Sequence, residues 1–405
     1  MGVGSMPGKD VAHHWCRLLP IGLMLSGCGG TGGGQGASQT PLLQVGMQRQ
    51  YVGTVTRSIV YTNPTATAPN NTLVYSFIES QNVLQASGND PANFDVHTDY
   101  TYSIVQDPGV GTVPVSQSVD NYENLVVSGN SQLTSTVGQK AVVGSDDETS
   151  NALGGGPYTQ TTTTTSTFPT ARNSFNYPLQ AGATMNVPQS AVQSITFSDA
   201  NASGAAPPNG SNVGYTRTRT ENDDGSFSYQ SAYVNGASLD LTQNSDGSGS
   251  EIFVSATATT TTTLGLPATA GGATTLPVKR TIVNAATGGT TSTIYTAVDW
   301  YPDNGAANSP LVLQAETVLG PASALPAQCN GAILRANIYE IDTTTTSQGT
   351  MSPSYSVTKT RAFNADGVTV CSLAQETSSS YDLLTGELVS TTTTQTNTLL
   401  NSINY

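Results

Sequence analysis

Catalysis near neutral pH needs a group that titrates there, and beyond residue 27 the chain offers a single histidine, His97. It sits in Asp95-Val96-His97-Thr98-Asp99, where the two-residue period of a strand puts Asp95, His97 and Asp99 on one face. That face could orient an imidazole between carboxylates or hold a metal weakly. Two carboxylates and one imidazole fall short of a structural zinc site, and no nucleophile is placed nearby. The plainer reading is a wet strand face opposite Tyr100 and Tyr102, with no metal ligand set, no catalytic residue and no cofactor. No Gly-x-Ser-x-Gly elbow, His-Glu-x-x-His helix or Gly-x-x-x-x-Gly-Lys phosphate loop occurs. The Asp-rich stretches Asn222-Asp223-Asp224-Gly225, Ser245-Asp246-Gly247 and Asp146-Asp147-Glu148 lack the spacing of a calcium loop and read as hairpin turns. Glycosidase carboxylates are recognised by separation in space, so the 27 Asp and Glu residues of the chain name no pair.

Strands must position whatever these residues do. From Pro41 the pattern alternates, with Tyr51, Val55, Ile59 and Tyr61 on one side and Thr54, Thr56, Ser58 and Val60 on the other. A mostly apolar strand is expected over 73–78, and Val96, Thr98, Tyr100, Tyr102 and Ile104 share a face of the next. Leu125 to Val127 and Ala141 to Val143 read as shorter strands between polar loops. Two-residue turn signals recur at Asp224-Gly225, Asn235-Gly236 and Asp246-Gly247, each suited to a tight hairpin. They predict a four-stranded meander over 213–222, 226–234, 237–244 and 250–263. A second meander is expected over 332–346, 354–364, 368–382 and 387–399, turning at Asp366-Gly367 and Thr385-Gly386. Thr287-Gly288-Gly289 signals a further hairpin that ends in Val298, Trp300 and Tyr301. A short internal echo, Pro41-Leu42-Leu43-Gln44-Val45-Gly46 against Pro178-Leu179-Gln180-Ala181-Gly182, suggests two similar β units divided between Asp199 and Asn212. The alternative is one continuous sheet with a long loop there.

Threonine runs at Thr161 to Thr165, Thr259 to Thr263, Thr343 to Thr346 and Thr391 to Thr394 favour extended chain yet bury poorly, which fits strands with wet faces. O-glycosylation and an edge strand offered for pairing are the functional alternatives. A flat ice-binding array is a third, but the strict Thr-x-Thr repeat it needs is absent.

Leu25-Ser26-Gly27-Cys28 follows a weakly basic stretch with Lys9 and Arg17 and an apolar run of Leu18, Leu19, Ile21, Leu23, Met24 and Leu25. It resembles the lipobox of bacterial lipoproteins, where a small-residue pair precedes the cysteine that is acylated. The run is about ten residues long, the length of a signal-peptide core and too short to span a bilayer. The resemblance implies a signal peptide over residues 1–27, lipidation of Cys28 and an oxidising compartment. With Gly29 after the cysteine, it implies sorting to the outer membrane of a Gram-negative envelope. Cys16 then leaves with the leader and Cys28 takes lipid, so Cys329 and Cys371 remain and read as a disulfide. The glycine-rich residues 28–40 become a flexible tether.

Only 10% of residues are charged, against about 25% in an ordinary domain, and the net charge is −14. That balance argues against nucleic acid and anionic membrane surfaces as partners, leaving the lipid anchor as the membrane contact. The expected fold is all-β: antiparallel meanders forming one large curved sheet or two barrel-like or sandwich-like units, over residues 41–205 and 206–405. The expected function is non-catalytic binding or structural service in the envelope. In one form a curved sheet carries an apolar ligand against Tyr51, Tyr75, Phe77, Tyr100, Tyr102, Phe227 and Tyr229. In another an adhesion or assembly module binds an envelope β protein or a glycan. A glycosidase-like enzyme is the third reading.

Overall fold

The computed structural model describes residues 42–65, 69–86, 88, 90–106, 112–147, 158–187, 190–201, 215–224, 226–266, 268–270, 273–298, 314–321, 327–332, 338–348, 355–364, 367–381 and 388–405. The expected signal peptide, Cys28 and tether lie outside them, as do Trp300, Tyr301 and the turn at Thr385-Gly386.

The described chain is β throughout, apart from turns and a short 3-10 segment at Ala327–Cys329. The first strands are β1 (Gln48–Tyr61), β2 (Asn71–Gln85), β3 (Asn93–Gln106), β4 (Thr112–Ser128), β5 (Ser131–Asp147), β6 (Tyr158–Asn173) and the short β7 (Thr184–Val187). Then come β8 (Ala191–Asn201), β9 (Tyr215–Glu221), β10 (Phe227–Tyr233), β11 (Ser238–Gln243), β12 (Gly249–Val254), β13 (Ala258–Leu264) and β14 (Ala268–Ala270). The last are β15 (Ala273–Asn284), β16 (Thr290–Val298), β17 (Gln314–Pro321), β18 (Ile338–Gln348), β19 (Tyr355–Asn364), β20 (Thr369–Tyr381) and β21 (Leu388–Asn404).

Every pairing is antiparallel. From one edge the order runs β16, β15, β13, β12, β11, β10, β9, β8, β6, β5, β4, β3, β2, β1. It continues through β21, β20, β19 and β18 to β17, so the β1–β21 ladder joins the two ends of the described chain. Short β14 pairs with β15, and β7 pairs with β17. The sheet is open, because among the described residues β16 pairs with β15 alone. It is continuous across the expected division, since β8 pairs directly with β9.

Alternation decides which face is inside. On β2, Leu73, Tyr75, Phe77, Glu79, Gln81 and Val83 are all buried on one side. The sheet curls towards that side: Phe363 of β19 shares an apolar cluster with Val83 of β2 and Phe94 and Val96 of β3, although β1, β21 and β20 lie between them in the order. Leu42, Leu43, Met47, Phe175, Tyr177 and Leu179 complete that cluster and fill one end of the concave side.

The sequence echo takes the same local form twice. Gln44 to Met47 and Gln180 to Ala183 each close a turn, by Met47 N–H to the Gln44 carbonyl (3.0 Å) and Ala183 N–H to the Gln180 carbonyl (3.1 Å). Gly46 and Gly182 hold φ of 92° and 80°, a region open to glycine. Gly46 N–H then donates to the Val83 carbonyl and Gly182 N–H to the Val318 carbonyl.

Three expectations about strands change. Leu125 to Val127 and Ala141 to Val143 are pieces of β4 and β5, 17 residues each, joined across Gly129-Asn130 with Gly129 at φ 60°. Their buried faces are partly polar, with Gln117, Glu123, Gln132, Thr134 and Thr136, which hid the period from a reading of apolar residues. The stretch 250–263 is two strands, because the Ser255 hydroxyl accepts from Ala258 N–H at 3.2 Å and turns the chain. The first meander therefore has five strands, β9 to β13.

Candidate functional site

His97 lies on the convex face, as its pattern implied, with a partner the sequence did not suggest. Register places Asp120 of β4 opposite His97 of β3, and Asp120 Oδ1 is 2.5 Å from His97 Nδ1. Asp99 Oδ2 is 3.2 Å from Nε2. The hydrogen bond to Asp120, with Asp99 adding, raises the His97 pKa above its ordinary value. Asp95 stands aside, its carboxyl raised chiefly by burial. Among the described residues no group of three or more His, Cys, Asp or Glu is placed to hold a metal. Asp224 and Asp246 each accept from the N–H two residues on, at 2.9 Å, so both carboxylates serve their own turns.

The seven aromatic residues expected to line one cavity divide among three clusters. Tyr51 packs with Cys329, Cys371, Val368, Val370 and Leu400. Phe227 and Tyr229 pack with Leu239, Leu241, Leu264 and Val278, beneath the Arg219 and Arg217 guanidinium groups. Tyr75, Phe77, Tyr100 and Tyr102 remain together with Val55 and Val113. A hollow of about 190 Å³ on β9 to β11 is lined by Thr218, Thr220, Ser228, Tyr229, Gln230, Asp240, Leu241 and Thr242. That is below the volume of a ligand cavity and away from the four rings. Among the described residues the seven aromatic side chains do not gather in one cluster.

The registers instead bring together one inward face of the concave side, a trough whose floor residues Val55, Thr398, Ser372 and Ala374 are buried. Its aromatic wall is Tyr75, Phe77, Tyr100 and Tyr102, with Tyr75 edge-on to Tyr102 at 5.6 Å and Tyr100 stacked on Tyr102 at 6.2 Å. Ladder registers carry the floor outward from that wall. One row is Tyr75, Val55, Thr396, Ala374, Lys359, and the next is Phe77, Gly53, Thr398, Ser372, Arg361. Small side chains therefore floor the middle, and cations stand on the far wall. Arg57 and Glu376 sit in the row beyond. Tyr100 and Tyr102 keep solvent-accessible surface, as do Arg57 and Lys359. Yet burial pushes both tyrosines well up, lowers Arg57 to about 10 and lowers Lys359. Groups that are accessible and still poorly hydrated line a cleft rather than an open surface.

Beside the rings lies a polar network that the alternation contained but apolar counting passed over, since Glu79 and Gln81 occupy core positions of β2. Arg49 Nη1 donates to Gln81 Oε1 at 3.3 Å, and Gln81 Nε2 donates to Glu79 Oε1 at 2.8 Å. Glu123 accepts from the Thr136 hydroxyl at 2.8 Å. Burial raises Glu79 and Glu123 each from 4.5 to about 7. The sign follows. Between pH 4.5 and about 7 the unfolded chain has released these protons while the folded chain keeps them, so stability falls as pH rises through that window and levels above it. Glu79→Gln is expected to leave urea unfolding at pH 5 nearly unchanged and to stabilise the fold at pH 8 by about 2 kcal/mol. Equal effects at the two pH values would show that Glu79 ionises as an ordinary carboxylate.

Compared with known proteins, the chain matches no family model and no curated protein.

Proposed function

We propose that the chain is a lipid-anchored envelope protein, held to the outer membrane through Cys28, which binds a small ring-bearing or apolar ligand in the concave trough without catalysis. The observation that carries this reading is the cluster of Tyr75, Phe77, Tyr100 and Tyr102, packed ring to ring at 5.6 to 6.2 Å, in which Tyr75 and Phe77 are buried and Tyr100 and Tyr102 stay partly accessible. Rings that serve only as core bury their faces, whereas rings left open in a poorly hydrated cleft favour a flat apolar guest.

A neutral probe, N-phenyl-1-naphthylamine, tests it. Saturable fluorescence enhancement is expected, with affinity falling at least ten-fold in Tyr100→Leu and Tyr102→Leu, both judged folded by circular dichroism. Phe253→Ser, on the exposed apolar end of β12, is the control and should leave binding unchanged. Loss of binding in the control, with retention in the tyrosine variants, would move the site to the sheet edge.

That edge supports the second reading, an assembly module for a β partner. Among the described residues β16 pairs on one side alone, Ile294 is 77% exposed, and Ile252, Val254, Ile282 and Val283 are exposed nearby. Such an edge is a template for strand addition.

A further inference from the structure

We propose that the trough selects an anionic ligand, an apolar or aromatic carboxylate or sulfonate, and that Lys359 supplies the recognising charge. The proposal rests on the trough being the binding site and adds the chemical class of the guest. Lys359 stands in the row that begins at Tyr75, with only Val55, Thr396 and Ala374 between them. Strand spacing of about 4.8 Å puts those two positions about 19 Å apart along the sheet, less across its curl, and both side chains reach inward. The gap suits a guest of two fused rings or a short acyl chain.

The cations of this face are unequally matched. Arg361 is paired with Glu316. Lys359 has Glu316 and Glu376 in its field, but makes no hydrogen bond or ion pair with another described residue. A poorly hydrated ammonium without a direct counterion is the group that a carboxylate or sulfonate would neutralise.

An unpartnered polar atom on the same face points independently to a polar guest. Thr398 Oγ1, on the floor between Gly53 and Ser372, is buried with no hydrogen-bond partner, and Thr398 is 1% exposed. The Thr398 hydroxyl can donate to an anion's oxygen atom. Lys359 gives the charge and Thr398 gives orientation.

Two probes sharing one ring system, 8-anilinonaphthalene-1-sulfonate and neutral N-phenyl-1-naphthylamine, separate charge from shape. The unmodified mature protein is expected to bind the sulfonate at least ten-fold more tightly than the amine, with the preference shrinking as salt rises. Lys359→Met should abolish the preference while leaving amine affinity within two-fold, and Lys359→Arg should keep most of it. Lys359→Gln provides a second neutral variant if Lys359→Met fails to fold. Equal affinity for the two probes, or full retention of the preference in Lys359→Met, overturns anion selection while the aromatic trough stands. Failure of both probes to bind the unmodified protein overturns the trough as a site, and anion selection with it.

Discussion

Replacing Cys329 and Cys371 together by alanine is expected to lower the free energy of unfolding by about 4 kcal/mol, the chain-entropy value for a crosslink of this span. The two cysteines are 42 residues apart in sequence with Cα atoms 5.4 Å apart, and both are buried. Cys329 ends the 3-10 turn and Cys371 lies on β20, so the bond pins the turn against Tyr51 and Leu400. The crosslink also restrains β18 and β19, which fall within the closed loop. Its principal effect is on the unfolded chain, whose freedom it removes. Alanine leaves two small spaces among well-packed neighbours, which adds to the loss. Urea titrations of oxidised protein, reduced protein and the double variant would check this. The reduced protein should unfold at a lowered midpoint and the variant at a slightly lower one. Coincident midpoints for oxidised and reduced protein would mean that the loop is already ordered in the unfolded state.

The all-β class was legible because turn chemistry and strand period agreed along the chain. Asn235-Gly236 and Asp246-Gly247 mark hairpins whose glycines take φ of 86° and 84°. The pattern Tyr51, Val55, Ile59 marks the inward face of β1, with Tyr51 and Val55 buried. Strands β4 and β5 were less legible for the same reason that the polar network was missed. Gln117, Glu123, Thr134 and Thr136 face inward, so a search for apolar period two finds only fragments. Glu79 could have been found from sequence: it continues the series Leu73, Tyr75, Phe77, and a carboxyl at a core position asks for a partner. The curl could not. It depends on β1 pairing with β21, a contact between the two ends of the described chain that no local pattern encodes. Without it Lys359 has no reason to face Tyr75. The Asp120 partner of His97 was hidden likewise, because cross-strand register decides it.

Gly53→Ala is expected to cost about 3 kcal/mol, a large effect for one methyl group in a strand. Gly53 lies in β1 between the inward residues Tyr51 and Val55, where alanine or valine would otherwise favour the strand. The Phe77 ring crosses directly over it, and a Cβ there would overlap the ring and approach the Asn397 carbonyl oxygen to 2.7 Å. The ring could swing aside, but it is packed against Tyr100 and Tyr102 at 5.9 and 6.2 Å, and the backbone oxygen belongs to the β1–β21 ladder. The variant must therefore displace part of the aromatic wall or loosen the ladder. Phe77→Leu distinguishes these. It removes the far edge of the ring at a cost of about 1 kcal/mol, and in that background Gly53→Ala should cost about 2 kcal/mol less than it does alone. Additive costs in the double variant would place the conflict at the Asn397 carbonyl instead. The cycle also bears on binding: a displaced Phe77 alters the wall that faces the guest, so Gly53→Ala should weaken the neutral naphthyl probe while leaving the preference set by Lys359 intact.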